Sequence, residues 1–221
     1  MNINSRFKKS DIGIGNKTMI HKDFNCDIYF IRHGESESNA TPGLAAGVNF
    51  DAPLTKLGHQ QAKSLGERFK NEKVVFDNVF CSTLTRAIQT TENIFIGMDN
   101  PKRKFTKVPE IIEQQIPGWQ GVPTEEAYTS DTMTYIMEKG KDFVGPDGES
   151  IREVQKRATN WLEDELIYNR KLCSTPQSLK VAIVGHGNTM RSIFHYIMGF
   201  DQRLMYKIGV DNTSISRFIF N

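Results

Sequence analysis

Three segments of the chain place a cation or an imidazole beside a small residue, and each follows an apolar run typical of a strand. They are Arg32-His33-Gly34, Ser82-Thr83 with Arg86 close behind, and Gly185-His186-Gly187. A helix that begins at such a junction offers unpaired N–H donors and partial positive charge, and arginine binds phosphate oxygens bidentately. Convergence of these junctions would form a pocket for a dianion. One neutral imidazole could attack phosphorus there, while the other stabilises charge on the equatorial oxygens.

The hydrophobic pattern predicts the elements that would position these residues. Strands are expected over 27–31, 77–82, 180–184 and 214–220, and helices over 55–70, 83–95, 150–168 and 188–198. Thr55 is the expected N-cap of the first helix, and Leu57 is expected on its apolar face. Apolar strands that alternate with helices predict an α/β fold in three layers, with a mostly parallel sheet between helices. Ligands of such sheets bind beyond the carboxyl ends of strands.

Length and composition predict one globular catalytic domain over residues 25–221. The chain has 221 residues, of which 38% are hydrophobic and 24% charged, enough for a single core. Residues 1–24 are polar and lysine-rich, and we expect them to form a flexible N-terminal arm. The arm could pair with a neighbouring copy in a homodimer, but its composition is equally typical of disorder.

Charge and cysteine usage favour a cytoplasmic protein. A formal net charge of +2 predicts neither a nucleic-acid nor a membrane partner. The chain lacks an apolar run of about 18 residues and the apolar core of a signal peptide. Its cysteines, Cys26, Cys81 and Cys173, are odd in number and have no CxxC spacing, so reduced thiols are expected.

Five ordered blocks of the sequence resemble the histidine phosphatase superfamily, which includes cofactor-dependent phosphoglycerate mutases and fructose-2,6-bisphosphatase. The blocks are RHGESESN from Arg32, DAPLTKLGHQQA from Asp51, CSTLTRAIQTTE from Cys81, GESIREVQKR from Gly148 and VGHGNTMR from Val184. The resemblance covers nearly everything from Asp27 to about Phe200. It implies a phosphoglycerate mutase-like fold and phosphoryl transfer through a phosphorylated histidine.

Carried over position by position, the resemblance makes His33 the residue that is phosphorylated in turnover. The same blocks imply a phosphate pocket and further substrate contacts. The pocket residues are Arg32, Arg86 and His186, and the further contacts are Ser36, Asn39 and Asn188.

The resemblance also requires a proton donor for the leaving oxygen, usually a glutamate in a segment like E-x-x-x-G-x-x-x-G. The nearest match is EQQIPGWQG, which makes Glu113 the candidate and leaves Glu110 in reserve. The match departs from the pattern because Pro117 stands where glycine is usual. Burial must keep a proton on this carboxyl, because a cationic pocket would otherwise remove it.

Three functions stay open at this point. A phosphatase would pass the phosphoryl group from His33 to water without a metal or another cofactor, because arginines and imidazoles already supply positive charge. Its substrate would be a small-molecule phosphate ester or a phosphorylated protein side chain. A phosphoglycerate mutase would use an acceptor hydroxyl instead, but ATPGLAAGVNFDAPL does not resemble the mutases' W-N-x-x-x-R-F-x-G-W stretch. A non-catalytic module would only bind a phosphorylated partner.

Other motifs point elsewhere only weakly. His33-Gly34-Glu35 fits half of a zinc deaminase motif, but the P-C-x-x-C half is absent. The sequence also lacks GxxxxGK[ST], the phosphate-binding motif of nucleotide-dependent enzymes. Segments 41–50 and 101–135 lack regular patterns and suit a substrate rim. We expect solvated helix faces for Arg68, Arg152 and Arg157. We expect no catalytic role for His21, His59 and His195, and a core position for Trp161. Trp119 fits core or rim, and Arg191 stays a candidate because it lies close to His186.

Overall fold

The computed structural model describes residues 24–46, 49–169, 172 and 178–220. These residues form a five-stranded sheet with the order β3-β2-β4-β1-β5. The strands are β1 (Cys26–Arg32), β2 (Asn78–Ser82), β3 (Thr106–Val108), β4 (Leu179–Gly185) and β5 (Ile215–Phe220). All neighbouring pairs are parallel except β1 and β5, which run antiparallel. The α/β fold class is therefore confirmed.

Helices cover both faces of this sheet. Their bounds are α1 Glu37–Ala40, α2 Lys56–Asn71, α3 Thr85–Gly97, α4 Thr124–Ala127, α5 Ser130–Lys139, α6 Ile151–Leu162 and α7 Gly187–Met198. One core layer joins Tyr29 and Ile31 of β1 to Leu65 and Phe69 of α2 and to α3. The other joins Ile28 and Phe30 of β1 to α6 and α7. Alternate residues of one buried strand thus serve two cores, as the uniformly apolar run requires.

Short helical turns complete the described structure. Three-residue 3₁₀ turns occur at Pro109–Ile111, Pro117–Trp119 and Gly140–Asp142, a longer one covers Gln202–Lys207, and a π-helical turn covers Glu163–Ile167. Within the described part of the chain, no helix has the length and apolar character needed to cross a bilayer.

Caps explain where the long helices begin. The Thr55 hydroxyl accepts a hydrogen bond from the N–H of Gly58, as expected for the start of α2. Ser150 and Glu153 form a capping box that starts α6. Helix α3 lacks a cap from its own first residues, and the carboxylate of Asp51 instead accepts from the backbone N–H and hydroxyl of Thr85.

Several sequence predictions need correction. Leu57 is 49% exposed, and Gly58 takes the buried position at that turn of α2. The helix predicted over 150–168 is α-helical only to Leu162 and then becomes the π-helical turn. Segment 101–135 contains strand β3 and the start of α5, which its sequence pattern did not indicate.

The predicted arm lies outside the described residues except for Phe24, which is buried and packs against Phe220 with ring centroids 5.4 Å apart. Cys26 and Cys81 are buried, and burial raises the pKa of the Cys81 thiol to about 12. Cys173 lies outside the described residues.

Candidate active site

The carboxyl ends of β1, β2 and β4 bring the three predicted junctions together. Arg32 and Gly185 are register partners at the ends of adjacent parallel strands. The residues that follow them, His33 and His186, therefore leave the sheet side by side, with ring centroids 5.1 Å apart. Both imidazoles are buried, His33 at 2% and His186 at 0% exposure. The site lies where a parallel sheet binds its ligands.

The hydrogen bonds of His33 define its tautomer. Its Nδ1 lies 2.7 Å from the carbonyl oxygen of Gly34, which can only accept, so Nδ1 carries the proton. Nε2 then holds the lone pair and accepts from Nε of Arg86 at 3.2 Å. The backbone also fixes the residue, because the His33 N–H donates to Gly185 O and its carbonyl accepts from Asn212 Nδ2. The imidazole is thus held with a nucleophilic nitrogen toward the pocket arginine.

Burial keeps both imidazoles neutral. It lowers the pKa of His33 well below 6.5, and the nearby guanidiniums of Arg86 and Arg32 lower it further. Burial likewise lowers the pKa of His186 well below 6.5, with Arg86 and His33 as the next causes. A neutral imidazole is the form that can attack an electrophile, so the environment of His33 suits a nucleophile.

His186 is the N-cap residue of α7 and follows β4, which lies between β2 and β1 in the sheet. Its Nε2 is 2.7 Å from the hydroxyl of Ser82 at the end of β2. Its Nδ1 is buried and has no hydrogen-bond partner among the described residues, as is true of Nε of Arg32. Two buried polar atoms of this site therefore lack a hydrogen-bond partner in the described structure. A phosphoryl oxygen could accept a hydrogen bond from those that carry a hydrogen.

Two guanidiniums border His33. Arg86, from the first turn of α3, donates Nη1 to Phe50 O at 2.6 Å, and Arg32 donates Nη1 to Val210 O at 2.6 Å. Burial lowers the pKa of both guanidiniums, and the charge of Glu113 opposes this effect. Neither has an ion-pair partner among the described carboxylates. The pocket keeps positive charge for an anion.

The side chain of Glu113 lies against the N-terminal end of α7, the helix that His186 caps. Its carboxylate accepts from the N–H groups of Asn188 and Thr189 at 3.2 Å each and from the N–H of Gln114 at 2.9 Å. Glu110, the reserve candidate, is exposed and lines a surface depression with Trp161 and Asp164. The geometry thus places Glu113, rather than Glu110, near the pocket.

The remaining predicted contacts form a polar edge. Ser36 and Asn39 make a capping box around α1; Ser36 is buried, whereas Asn39 is exposed and accepts from Asn212 Nδ2. Asn188 donates its side-chain amide to Gln114 Oε1 and accepts from Nη1 of Arg191. Ser36 has its hydroxyl engaged within the cap, so Asn39 and Asn188 are the more accessible of the predicted contacts.

One residue was misjudged from the sequence. Arg157 is not on a solvated face, because its side chain is 21% exposed and pairs with Glu149 at 2.7 Å. Its guanidinium also donates to the carbonyl oxygens of Glu110 and Glu113. These bonds hold the loop that carries Glu113. The sequence feature that could have indicated this role is the position of Arg157 in the GESIREVQKR block. Arg68 and Arg152 are exposed as predicted.

The other described residues weighed from the sequence contact residues outside the pocket, and His21 lies outside the described part of the chain. His59 contacts Asn93, and His195 contacts Gln155. Trp161 is buried in the core as predicted, and Trp119 is buried against Tyr128 with ring centroids 4.8 Å apart. No group of three or more His, Cys, Asp or Glu side chains among the described residues could hold a metal ion.

Comparison with known protein families matches most of the chain. The model of the histidine phosphatase superfamily, branch 1, matches residues 28–221. A 2,3-bisphosphoglycerate-dependent phosphoglycerate mutase of Neisseria meningitidis serogroup B is 27% identical, over 87% of this chain and 99% of that protein. A phosphoglycerate mutase of Schizosaccharomyces pombe is 29% identical, over 76% of this chain and 77% of that protein.

Solved structures share the fold. A mutant phosphoserine phosphatase from Entamoeba histolytica, crystallised with phosphoserine, has a TM-score of 0.70 and 24% identity, covering 89% of this chain and 91% of that one. A mycobacterial glucosyl-3-phosphoglycerate phosphatase has a TM-score of 0.71 and 18% identity, covering 87% and 89%. At these identities the likeness concerns the fold, and activity must be argued from the site.

Proposed function

The chain belongs to the histidine phosphatase superfamily, branch 1, and from this premise we propose that it hydrolyses a phosphomonoester through a phosphohistidine on His33. The observation that carries the proposal is the hydrogen bonding of His33. Nδ1–H donates to Gly34 O, which leaves the Nε2 lone pair beside Arg86. Superfamily members named above include both mutases and phosphatases, so phosphoryl transfer is the shared chemistry.

In the first step, Nε2 of His33 forms a bond to phosphorus as the bond from phosphorus to the leaving oxygen breaks. Arg32, Arg86 and His186 neutralise charge on the equatorial oxygens. Arg86 must exchange its bond to Nε2 for one to a phosphoryl oxygen, and Nε of Arg32 lacks a partner among the described residues. Glu113 gives its proton to the leaving alcohol.

In the second step, water attacks the phosphohistidine. Glu113, now a carboxylate, takes the proton of the water as the new phosphorus–oxygen bond forms and the phosphorus–nitrogen bond breaks. Inorganic phosphate leaves, and His33 returns to its neutral form. Proton donor and proton acceptor are the same residue in successive steps, which restores the starting state.

A phosphoglycerate mutase is the second candidate, because curated relatives of the chain carry that name. Segment 41–50 favours the phosphatase. It lacks the mutase-like stretch after Asn39, and its described part pairs with the segment around Pro123 through an isolated bridge at Leu44. Because His33 is only 2% exposed, a phosphate ester of a small molecule should reach its Nε2 more readily than a phosphorylated side chain on a folded protein. We propose a cytoplasmic location for this activity.

Hydrolysis of an aryl phosphate by the unaltered protein and by His33→Ala tests the proposal, with chelator present and with interconversion of 2- and 3-phosphoglycerate assayed in parallel. Chelator-resistant release of phosphate that disappears in His33→Ala is expected. Interconversion without net phosphate release would identify a mutase. Ester binding without either reaction would favour the non-catalytic module.

A further inference from the structure

Segment 210–214 precedes β5 and holds the backbone of the two pocket residues at the end of β1. The carbonyl oxygen of Ser214 accepts from the N–H of Arg32 at 3.2 Å. The N–H of Thr213 donates to the carbonyl oxygens of Arg32 at 3.1 Å and His33 at 3.3 Å. This segment lies outside the five sequence blocks that predicted the pocket. The backbone of the nucleophile is therefore held by residues to which the sequence pattern assigned no role.

Thr213 adopts a backbone conformation that is rare for its residue type. Its φ of 56° lies in the left-handed region, where a β-branched side chain is a true outlier. Its hydroxyl donates to the carbonyl oxygen of Asn212 at 2.7 Å and so helps to hold the turn. Strain of this kind persists only where the surrounding structure fixes it, and it is concentrated at functional sites. The strained turn points to a function for segment 210–214 at the pocket.

The side-chain amide of Asn212 joins His33 to Asn39. Its Nδ2 lies 3.0 Å from the carbonyl oxygen of His33 and 3.2 Å from Oδ1 of Asn39. A carbonyl oxygen can only accept, so the NH₂ group of Asn212 must face the nucleophile's backbone. The two hydrogens of that group serve the two acceptors, one each.

The contact with Asn212 also fixes the orientation of the Asn39 amide. The same Oδ1 of Asn39 lies 3.2 Å from the N–H of Ser36 and 3.1 Å from its hydroxyl. An amide nitrogen at this position would face the N–H groups of Ser36 and Asn212, so the oxygen must occupy it. Nδ2 of Asn39 then lies on the other side of the amide, and it makes no hydrogen bond to a described residue. Because Asn39 is exposed, its two N–H donors are available to a ligand.

We propose that Asn212 is a positioning residue for phosphoryl transfer, which holds the His33 carbonyl and directs Nδ2 of Asn39 toward an oxygen of the substrate's phosphoryl group. Because one side chain makes both contacts, the nucleophile and the substrate contact are aligned before the substrate binds. Alignment of this kind lowers the barrier to reaction. The inference rests on the proposed function, because that function makes His33 the nucleophile.

Two measurements on Asn212→Ala test the inference. In rapid-quench experiments at saturating aryl phosphate, formation of phosphohistidine should slow by about 10- to 100-fold, because the reacting groups lose their alignment. In the His33→Ala protein, calorimetry should show that Asn212→Ala weakens binding of the aryl phosphate by about 10-fold, because the Asn39 amide no longer faces the charged oxygen. Asn39→Ala should weaken binding similarly, and Asn212→Ala added to it should cause no further loss.

Asn93→Ala is the matched control. The amide of Asn93 also donates to a backbone carbonyl oxygen, that of Gln89 at 2.6 Å, and lies 2.9 Å from Nδ1 of His59, which is outside the pocket. This variant should change neither the rate nor the affinity.

Two results would overturn the role of Asn212. One is an effect of Asn212→Ala no larger than that of Asn93→Ala on both rate and affinity. The other is losses of affinity that add in the double variant, which would show that Asn39 and Asn212 act independently. If the unaltered protein forms no phosphohistidine, the proposed function fails, and the binding measurements still decide whether Asn212 orients Asn39.

Discussion

Replacing Gly34 with alanine should displace the nucleophile by steric contact alone. A Cβ at Gly34 would lie 2.6 Å from the carbonyl oxygen of Gly58 and 3.1 Å from its carbonyl carbon. Neither partner can yield easily. The N–H of Gly34 donates to Thr90, and the N–H of Thr55, the cap of α2, donates to Glu35 O. The loop that carries His33 is therefore fixed against the first turn of α2.

The contact would have to open by about 0.8 Å to reach ordinary van der Waals distance, and such overpacking costs about 1–3 kcal/mol of unfolding free energy. Displacing a reacting group by about 1 Å lowers catalysis by roughly 100-fold. We therefore expect Gly34→Ala to lose about 1–3 kcal/mol of stability and to fall by about 10- to 100-fold in kcat/KM for an aryl phosphate.

Gly209→Ala is the matched control, because a Cβ at Gly209 would meet no atom within 4 Å. Urea unfolding measures the stability of both variants. Their kcat/KM is measured without urea, at a temperature at which both are folded. Equal stability and equal activity of the two variants would refute the close approach of the His33 loop to α2.

Further perturbations test other parts of the site. Ser82→Ala removes the hydroxyl beside Nε2 of His186. It should lower the free energy of thermal unfolding by about 1–3 kcal/mol, because a buried polar atom loses its partner. Ser38→Ala is the control, and a loss of stability no larger than the control's would contradict the contact. Because the folded-state pKa values of His33 and His186 lie below their ordinary 6.5, the unfolded chain binds more protons as pH falls below 6.5. The unfolding free energy should then drop by up to about 1.4 kcal/mol per pH unit for each histidine, and His33→Gln should remove one share of that slope in denaturation at a series of pH values. Arg157→Met should cost about 1.5–3 kcal/mol and lower kcat, whereas the exposed ion pair lost in Arg152→Met should cost at most about 1 kcal/mol. Similar effects of the two arginine variants would contradict a role for Arg157 in holding the Glu113 loop.

The sheet and its junctions could be predicted because local patterns encode them. The apolar strands β1 and β4 are short and uniform, and their polar ends can only meet if the strands are parallel neighbours. The junctions that carry His33 and His186 were predicted to converge, and the two rings lie 5.1 Å apart. Thr55 was predicted as a cap from its hydroxyl and its place before a periodic run, and the structure confirms it.

What the sequence could not reveal depends on contacts between distant segments. Arg157 looks solvated on a helical wheel, but the loop carrying Glu113 covers it with carbonyl oxygens. Leu57 fits the apolar period of α2, yet the His33 loop approaches so closely that Gly58 takes the buried place. The cap of α3 comes from Asp51, more than thirty residues earlier, which no local pattern indicates.

The most direct test of the central claim is to trap the phosphoryl group on the enzyme. The protein is mixed briefly with an aryl phosphate, quenched in base, where phosphohistidine survives, and digested for mass spectrometry. The proposed mechanism predicts one phosphate on the peptide that contains His33, and none on that peptide in His33→Ala. Phosphate on another residue, or turnover that survives in His33→Ala, would contradict it.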